Sequence, residues 1–326
     1  MSSTYFVTGA LGCIGAWVVK TLLERGDVPV VFDLGGDPRR IRDLVGDEAL
    51  ERVRFVQGDI TDPEAVKRAV AAAAPRALIH LAGLQVPACK ADPALGARVN
   101  VLGTIHVFEA ALAAGLERVV YASSAAVLGP SDDDDRAPDE GAPCEPVTHY
   151  GVFKRANEGT ARIYWLDRQL SSIGLRPLTV YGVGRDQGLT SGPTSAMKAA
   201  VLGRPFHIGF SGPTDFHYAA DTAAAFLACA ERGPRGAHLF NLHGDTADVA
   251  EVVAAIEADV PAARGSLTFG GPRIPIPPRL DGSAIAEFLP DLPHTSLAAG
   301  IRATLARFRS LHERGHLDAR DLSPRK

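Results

Sequence analysis

Thr8-Gly9-Ala10-Leu11-Gly12-Cys13-Ile14-Gly15 lies between a β-branched run, Thr4–Thr8, and a segment, Ile14–Arg25, in which Val18, Val19, Leu22 and Leu23 recur at helical spacing. In a strand–loop–helix setting each glycine has a task. Gly9 permits a tight turn, Gly12 lets backbone approach a pyrophosphate where a Cβ would intrude, and Gly15 lets the helix pack closely on the strand. Leu11, Cys13 and Ile14 supply the rest of the loop backbone. The free N–H groups and the positive end of the helix dipole then hold the anion. The flanking strand and helix separate such a loop from a glycine-rich turn that binds nothing.

The same alternation continues downstream. Val28–Phe32 reads as a second strand ending at Asp33, Arg54–Gln57 as a third, Ala77–Leu81 as a fourth, Val119–Ser123 as a fifth and Ser172–Val180 as a sixth. Helical patterns fill Pro63–Ala74, Ala97–Ala114 and Tyr150–Leu170. Near-continuous apolar strands alternating with helices predict an α/β fold, a Rossmann-type doubly wound parallel sheet covered on both faces. After Val180 glycine and proline become frequent, helices are expected at Pro193–Leu202, Asp221–Glu231, Val249–Ala258 and Ser296–Glu313, and Gly270–Pro278 reads as an ordered loop. The expected organisation is a dinucleotide-binding Rossmann domain over 1–175. A smaller C-terminal substrate-binding lobe over 176–326 is interleaved with the last strands and helices of that domain.

At roughly 150 residues per domain, the 326-residue length suits two domains or one large α/β unit. With 46% hydrophobic and 22% charged residues the chain has material for a large core, which excludes disorder as the dominant state. A net charge of −4 and 6% aromatics offer no basic, base-stacking face, so no nucleic-acid partner is expected. The four cysteines, Cys13, Cys89, Cys144 and Cys229, lie far apart with no CxxC pair. That spacing suits a reducing compartment and argues against a disulfide framework or a structural zinc. Met1-Ser2-Ser3 carries no basic leader, and no stretch approaches the roughly 18 apolar residues of a membrane helix. A cytoplasmic protein without a membrane partner is expected. No metal site is expected either: the run Asp132–Asp135 reads as a solvated acidic loop, without the oxygen cage a hard cation needs.

Two acids follow the glycine loop. A carboxylate at Asp33, ending the second strand, accepts the hydroxyls of an adenosine ribose and repels a 2′-phosphate, which favours NAD over NADP. Arg39 and Arg40 follow it and read as solvated loop charges. Asp59-Ile60 ends the third strand, where an acid meets the adenine amino group or simply caps the turn ahead of Pro63.

Tyr150-Gly151-Val152-Phe153-Lys154 places a tyrosine and a lysine one helical turn apart on one face. A phenol is a poor base near neutral pH, and a neighbouring ammonium stabilises its phenolate. Ser123-Ser124 ends a parallel strand, and open α/β sheets bind ligands at the carboxyl ends of their strands. A serine there can polarise a carbonyl or hydroxyl.

With these residues the chain resembles the short-chain dehydrogenase/reductase superfamily in its extended class, the NAD-dependent epimerase/dehydratase family. The resemblance runs through Thr8–Gly15, Asp33, Asp59, His80-Leu81-Ala82-Gly83, Asn100–Thr104, Ser123–Gly129, Tyr150–Lys154, Asn157-Glu158 and Leu175–Gly182, with weaker matches at Tyr218–Asp221 and Leu297–Ile301. It implies Tyr150 as general acid/base, Lys154 as its partner and as a contact of the nicotinamide ribose, and Ser124 as the hydroxyl that polarises the substrate. It also implies Leu81, Ala82 and Gly83 on the adenine–ribose side and Asn100 behind the cofactor. Pro177 and Val180 fall at the nicotinamide end. A homodimer through the helices at about Ala97–Ala114 and Tyr150–Leu170 is implied as well.

Two departures bear on substrate. Family members acting on nucleotide-linked sugars usually carry Asn after the Arg-Pro strand and an Arg before the Tyr-Val-x-Asp segment, both facing phosphate. Here the corresponding stretches read Thr179-Val180-Tyr181-Gly182 and Gly212-Pro213-Thr214-Asp215-Phe216. A buried diphosphate needs positive charge, which bidentate Arg usually supplies. Arg185, Arg204, Arg273 and Arg279 remain as substitutes. The expectation is therefore an NAD-dependent oxidoreductase acting on a small polar hydroxy or carbonyl compound such as a sugar, sugar acid or polyol. Ser124, Tyr150, Thr179 and Arg185 would face that substrate. His149 would either join them or point to solvent. The alternative is a nucleotide-sugar epimerase/dehydratase with tightly bound NAD. A non-catalytic cofactor sensor is disfavoured by the intact Ser124, Tyr150 and Lys154.

Overall fold

The computed structural model describes residues 2–131 and 136–322, and the acidic run Asp132–Asp135 lies outside them. The strands are β1 (Thr4–Thr8), β2 (Val28–Asp33), β3 (Arg54–Gln57), β4 (Ala77–His80), β5 (Arg118–Ala122), β6 (Ser171–Arg176), β7 (Thr179–Tyr181), β8 (Phe206–Ile208), β9 (Pro213–Tyr218), β10 (Ala237–Asn241), β11 (Asp245–Asp248) and β12 (Leu267–Phe269). The first helices are α1 (Cys13–Glu24), α2 (Arg39–Val45), α3 (Asp47–Leu50), α4 (Pro63–Ala73), α5 (Val86–Ala91), α6 (Pro93–Ala97) and α7 (Gly103–Ala113). They are followed by α8 (His149–Arg168), α9 (Gly192–Val201), α10 (Ala219–Arg232), α11 (Val249–Asp259), α12 (Ser283–Phe288) and α13 (Leu297–Glu313).

Seven strands form one parallel sheet in the order β10-β6-β5-β4-β1-β2-β3. Alternation along the strands feeds two cores. Tyr5, Val7, Val31, Ile79 and Val120 meet α1 and α10 on one face, while Phe6, Val30, Leu78, Val119 and Tyr121 meet α4 and α7 on the other. This is the Rossmann-type doubly wound sheet that the alternating pattern predicts. The strand order reverses between β1 and β4, and a crevice opens there at the carboxyl ends of the strands. The sheet is completed only by β10, which enters from the second half of the chain beside β6.

The C-terminal lobe adds a three-stranded sheet, β11-β9-β7, and the pair β12-β8. The stretch Ser172–Val180, read as one strand, is two strands in two different sheets. Pro177 lacks the N–H that a continuing ladder needs, so the chain leaves the large sheet there. Ala97–Ala114 also departs from a uniform helix, because Arg98–Leu102 forms a π-helical turn between α6 and α7. No helix among the described residues is long and apolar enough to cross a membrane.

Candidate active site

The glycine loop turns at Gly9, whose φ of +67° suits glycine, and its N–H donates to Phe32 O at 3.1 Å. A Cβ on Gly9 would lie 2.4 Å from the backbone N of Ala82, so the close approach of β1 and β4 at the crevice floor requires its absence. Asp33 stands beside the loop and accepts from Leu11 N at 3.1 Å and Leu34 N at 2.9 Å. Burial pushes its carboxyl above the ordinary range, opposed by those two N–H groups and by Arg40.

Tyr150 is placed by a local packing requirement. Thr148 caps α8, its Oγ1 accepting from Gly151 N at 3.0 Å. A Cβ on Gly151 would fall 2.3 Å from Ala126 O. The helix start therefore sits directly on the turn that follows Ser124, whose own Oγ accepts from Ala126 N at 3.2 Å. One turn on, Lys154 Nζ donates to Ala122 O at 2.6 Å and lies 5.7 Å from the centre of the Tyr150 ring. Burial lowers the lysine to about 8. Burial raises the Tyr150 phenol, and the relief comes from the Ser124 hydroxyl and the Arg185 guanidinium. Burial outweighs both, so the phenol lies above its ordinary value even with Lys154 close by.

A cavity of about 240 Å³ joins these parts. Gly12, Cys13, Ile14 and Gly15 line it together with Leu81, Gly83, Ser124, Tyr150 and Lys154. Pro177, Val180 and Arg185 line it as well. Arg185 donates to Thr190 Oγ1 at 3.0 Å and keeps its Nε buried and unpartnered. Of the four arginines considered as anion partners, Arg185 alone lines this cavity; Arg204 and Arg273 are exposed.

Other residues fall elsewhere. Thr179 is fully buried, its hydroxyl 2.8 Å from that of Thr214, because strand alternation turns it away when Val180 faces the cavity. The two departures from the sugar-nucleotide pattern are thus neighbours that satisfy each other. His149 is exposed and stacks on Phe153, outside the cavity. Asp59 is exposed and caps its own turn, accepting from Thr61 N at 2.8 Å, and Ile60 is buried against Gly103. Asn100 is buried behind the crevice, where its amide bonds both the N–H and the C=O of Leu84 at 2.7 and 2.9 Å. Ala82 N lies 3.4 Å from Thr8 Oγ1 on the crevice floor.

Arg39 and Arg40 are not solvated loop charges. They open α2, their side chains are only 19% and 20% exposed, and both pair with Asp186. No motif points to Asp186. Sequence reading also missed the buried pair Glu158–Arg176, although Glu158 follows Lys154 by one turn on the same helix face. Among the described residues no cluster of three or more His, Cys, Asp or Glu is arranged to hold a metal ion.

The model of the NAD dependent epimerase/dehydratase family matches residues 5–242. The chain is 31% identical over 318 residues to a UDP-glucose 4-epimerase of Mycolicibacterium smegmatis, covering 93% of this chain and 98% of that one. It is 31% identical over 336 residues to a UDP-glucose 4-epimerase of Azospirillum brasilense, covering 96% and 94%. The crystal structure of MoeE5 in complex with UDP-glucose and NAD superposes with a TM-score of 0.79 at 28% identity, over 94% of this chain and 99% of that chain. These likenesses favour the nucleotide-sugar alternative over the small-substrate expectation.

Proposed function

The chain belongs to the NAD dependent epimerase/dehydratase family, and from that membership we propose that it is an NAD-dependent epimerase of nucleotide sugars, with a UDP-hexose as its substrate. The observation that carries this reading is the likeness to UDP-glucose 4-epimerases over 93% and 96% of this chain and 98% and 94% of theirs. The chain is an enzyme, and its cofactor is NAD.

The crevice fits that cofactor. A Cβ on Gly83 would stand 3.2 Å from Asn100 Oδ1 and 3.6 Å from Lys154 Nζ, so the bare glycine leaves room beside the lysine. Gly12–Gly15 would hold the pyrophosphate on backbone N–H groups, Asp33 the adenosine ribose and Lys154 the nicotinamide ribose. Bound there, NAD would supply the hydride acceptor and donor that the sugar carbon needs. Tyr150 removes the proton from the reacting hydroxyl and later gives it back. Ser124 hydrogen-bonds the same oxygen and holds it near the phenol. Lys154 contributes a positive charge that favours the phenolate. Arg185, with a donor unused, would meet the substrate's anionic side.

A homodimer belongs to the same proposal. On α8 Val152, Ile163 and Leu166 are 47%, 48% and 53% exposed, and Leu102 beside α7 is 48% exposed. Such a stripe on two adjacent helices suits burial against a second copy.

A second reading rests on the Thr179–Thr214 pair, which puts two neutral side chains bonded to each other where a diphosphate clamp is expected. Under it, the substrate is a small polar hydroxy or carbonyl compound. Incubation with UDP-galactose separates the two. Formation of UDP-glucose is expected; unchanged UDP-galactose, together with NAD reduction by a free sugar, would favour the second reading.

A further inference from the structure

Asp186 lies 146 residues from Arg40 in sequence and is 6% exposed. It accepts from two guanidinium nitrogens of Arg40, Nη2 to Oδ1 at 2.6 Å and Nε to Oδ1 and Oδ2 at 3.1 and 3.2 Å. Arg39 Nη2 donates to the other oxygen at 2.5 Å, and its Nη1 pairs with Asp318 at 2.8 Å. The remaining nitrogen of Arg40, Nη1, donates to Leu11 O at 2.7 Å, and Leu11 N in turn donates to Asp33. One residue of the glycine loop therefore separates the Arg40 guanidinium from the Asp33 carboxylate, and each acts electrostatically on the other.

We propose that Asp186 is a second determinant of NAD over NADP, acting by holding Arg39 and Arg40 in ion pairs beside the site where Asp33 receives the adenosine ribose. The charge arithmetic gives the reason. Three carboxylates, Asp33, Asp186 and Asp318, stand against three guanidinium groups, Arg39, Arg40 and the exposed Arg320 that shares Asp318, so the neighbourhood carries no net positive charge. A 2′-phosphate is a dianion and needs a net positive balance, with at least one guanidinium able to turn toward it. Removing Asp33 alone lifts the direct repulsion but leaves both arginines engaged. Removing Asp186 as well leaves Asp318 alone against three guanidinium groups and frees the fork of Arg40 one residue from the ribose position.

The proposal rests on the reading that Asp33 holds the ribose, and the experiment separates the two. Nucleotide-stripped protein is titrated with NAD and with NADP by calorimetry, for the wild type, Asp33→Ser, Asp33→Ser/Asp186→Asn, and that double variant with Arg40→Met added. Weaker NAD binding by Asp33→Ser is expected, as is an NADP affinity in the double variant at least about tenfold above that of Asp33→Ser. Arg40→Met should remove the gain, and rising salt should erode it. Should Asp186→Asn fail to melt cooperatively, Asp33→Ser/Asp318→Asn tests the same balance, with a smaller gain in the same direction. NAD binding unaffected by Asp33→Ser would overturn the ribose reading and the inference with it. Weakened NAD binding with no gain for NADP on removing Asp186 or Asp318 would overturn the inference alone.

Discussion

Arg176 and Glu158 meet fork to fork in the interior, Nε to Oε1 at 2.7 Å and Nη2 to Oε2 at 2.8 Å, with side-chain exposures of 0% and 1%. The same carboxylate accepts from Ser123 Oγ at 2.6 Å. The pair ties β6 to α8, and the Ser123 bond ties α8 to the segment after β5; α8 carries Tyr150 and Lys154, while Pro177 directly follows β6 and Ser124 follows Ser123. It therefore fixes the distance between the candidate acid/base and the hydroxyl that shares its substrate oxygen.

Glu158→Ala leaves a buried guanidinium without its counter-charge, and a loss of about 3–5 kcal/mol in denaturant unfolding is expected. Glu158→Gln keeps the shape and one acceptor. It should stay folded while kcat falls roughly 10–10²-fold and KM changes little, because the reacting groups shift by a fraction of an ångström. An unchanged kcat in a folded Glu158→Gln protein would remove the pair from the positioning role.

Tyr150→Phe should bind NAD as the parent does while turnover falls roughly 10²–10⁴-fold, the usual scale of a lost acid/base. NAD binding and turnover measured on one preparation check both halves.

Burial lowers Lys154 to about 8, so its ammonium prevails below that pH in the folded chain. If the positive charge assists Tyr150, kcat/KM should fall as pH rises through about 8. Stability should move the other way. The unfolded chain retains the lysine proton up to its ordinary value near ~10.4, so it binds more protons between the two values and stability rises with pH across that window. Lys154→Arg should carry the alkaline limb of the rate profile to higher pH.

Ile163→Glu or Leu166→Glu places a carboxylate in the exposed stripe of α8. Light scattering should report a dimer for the parent and a monomer for either variant. A parent that is monomeric at micromolar concentration would remove the dimer from the account.

The glycine loop and the Tyr150–Lys154 spacing were legible because their signal is local: a strand, three glycines and a helix, then two side chains one turn apart. What stayed hidden depends on register or on distant pairing. Thr179 is one residue from Val180, and only the pleat of β7 decides which of them faces the cavity. Arg40 reads as a surface charge until the fold brings Asp186 to it across 146 residues. Asp59 and His149 carry the right chemistry in the right neighbourhood, yet one caps its turn and the other lies outside on α8. Substrate class was the least legible feature, since Thr179 and Thr214 speak against a diphosphate while the whole-chain likeness favours one.

The most direct test of the account is the stoichiometry of nicotinamide reduction during sugar conversion. Purified protein with its bound NAD is given UDP-galactose, and UDP-glucose and NADH are quantified in the same mixture. The account predicts many turnovers of sugar with no net accumulation of NADH. One NADH formed for each substrate molecule consumed would contradict it and establish a net dehydrogenase.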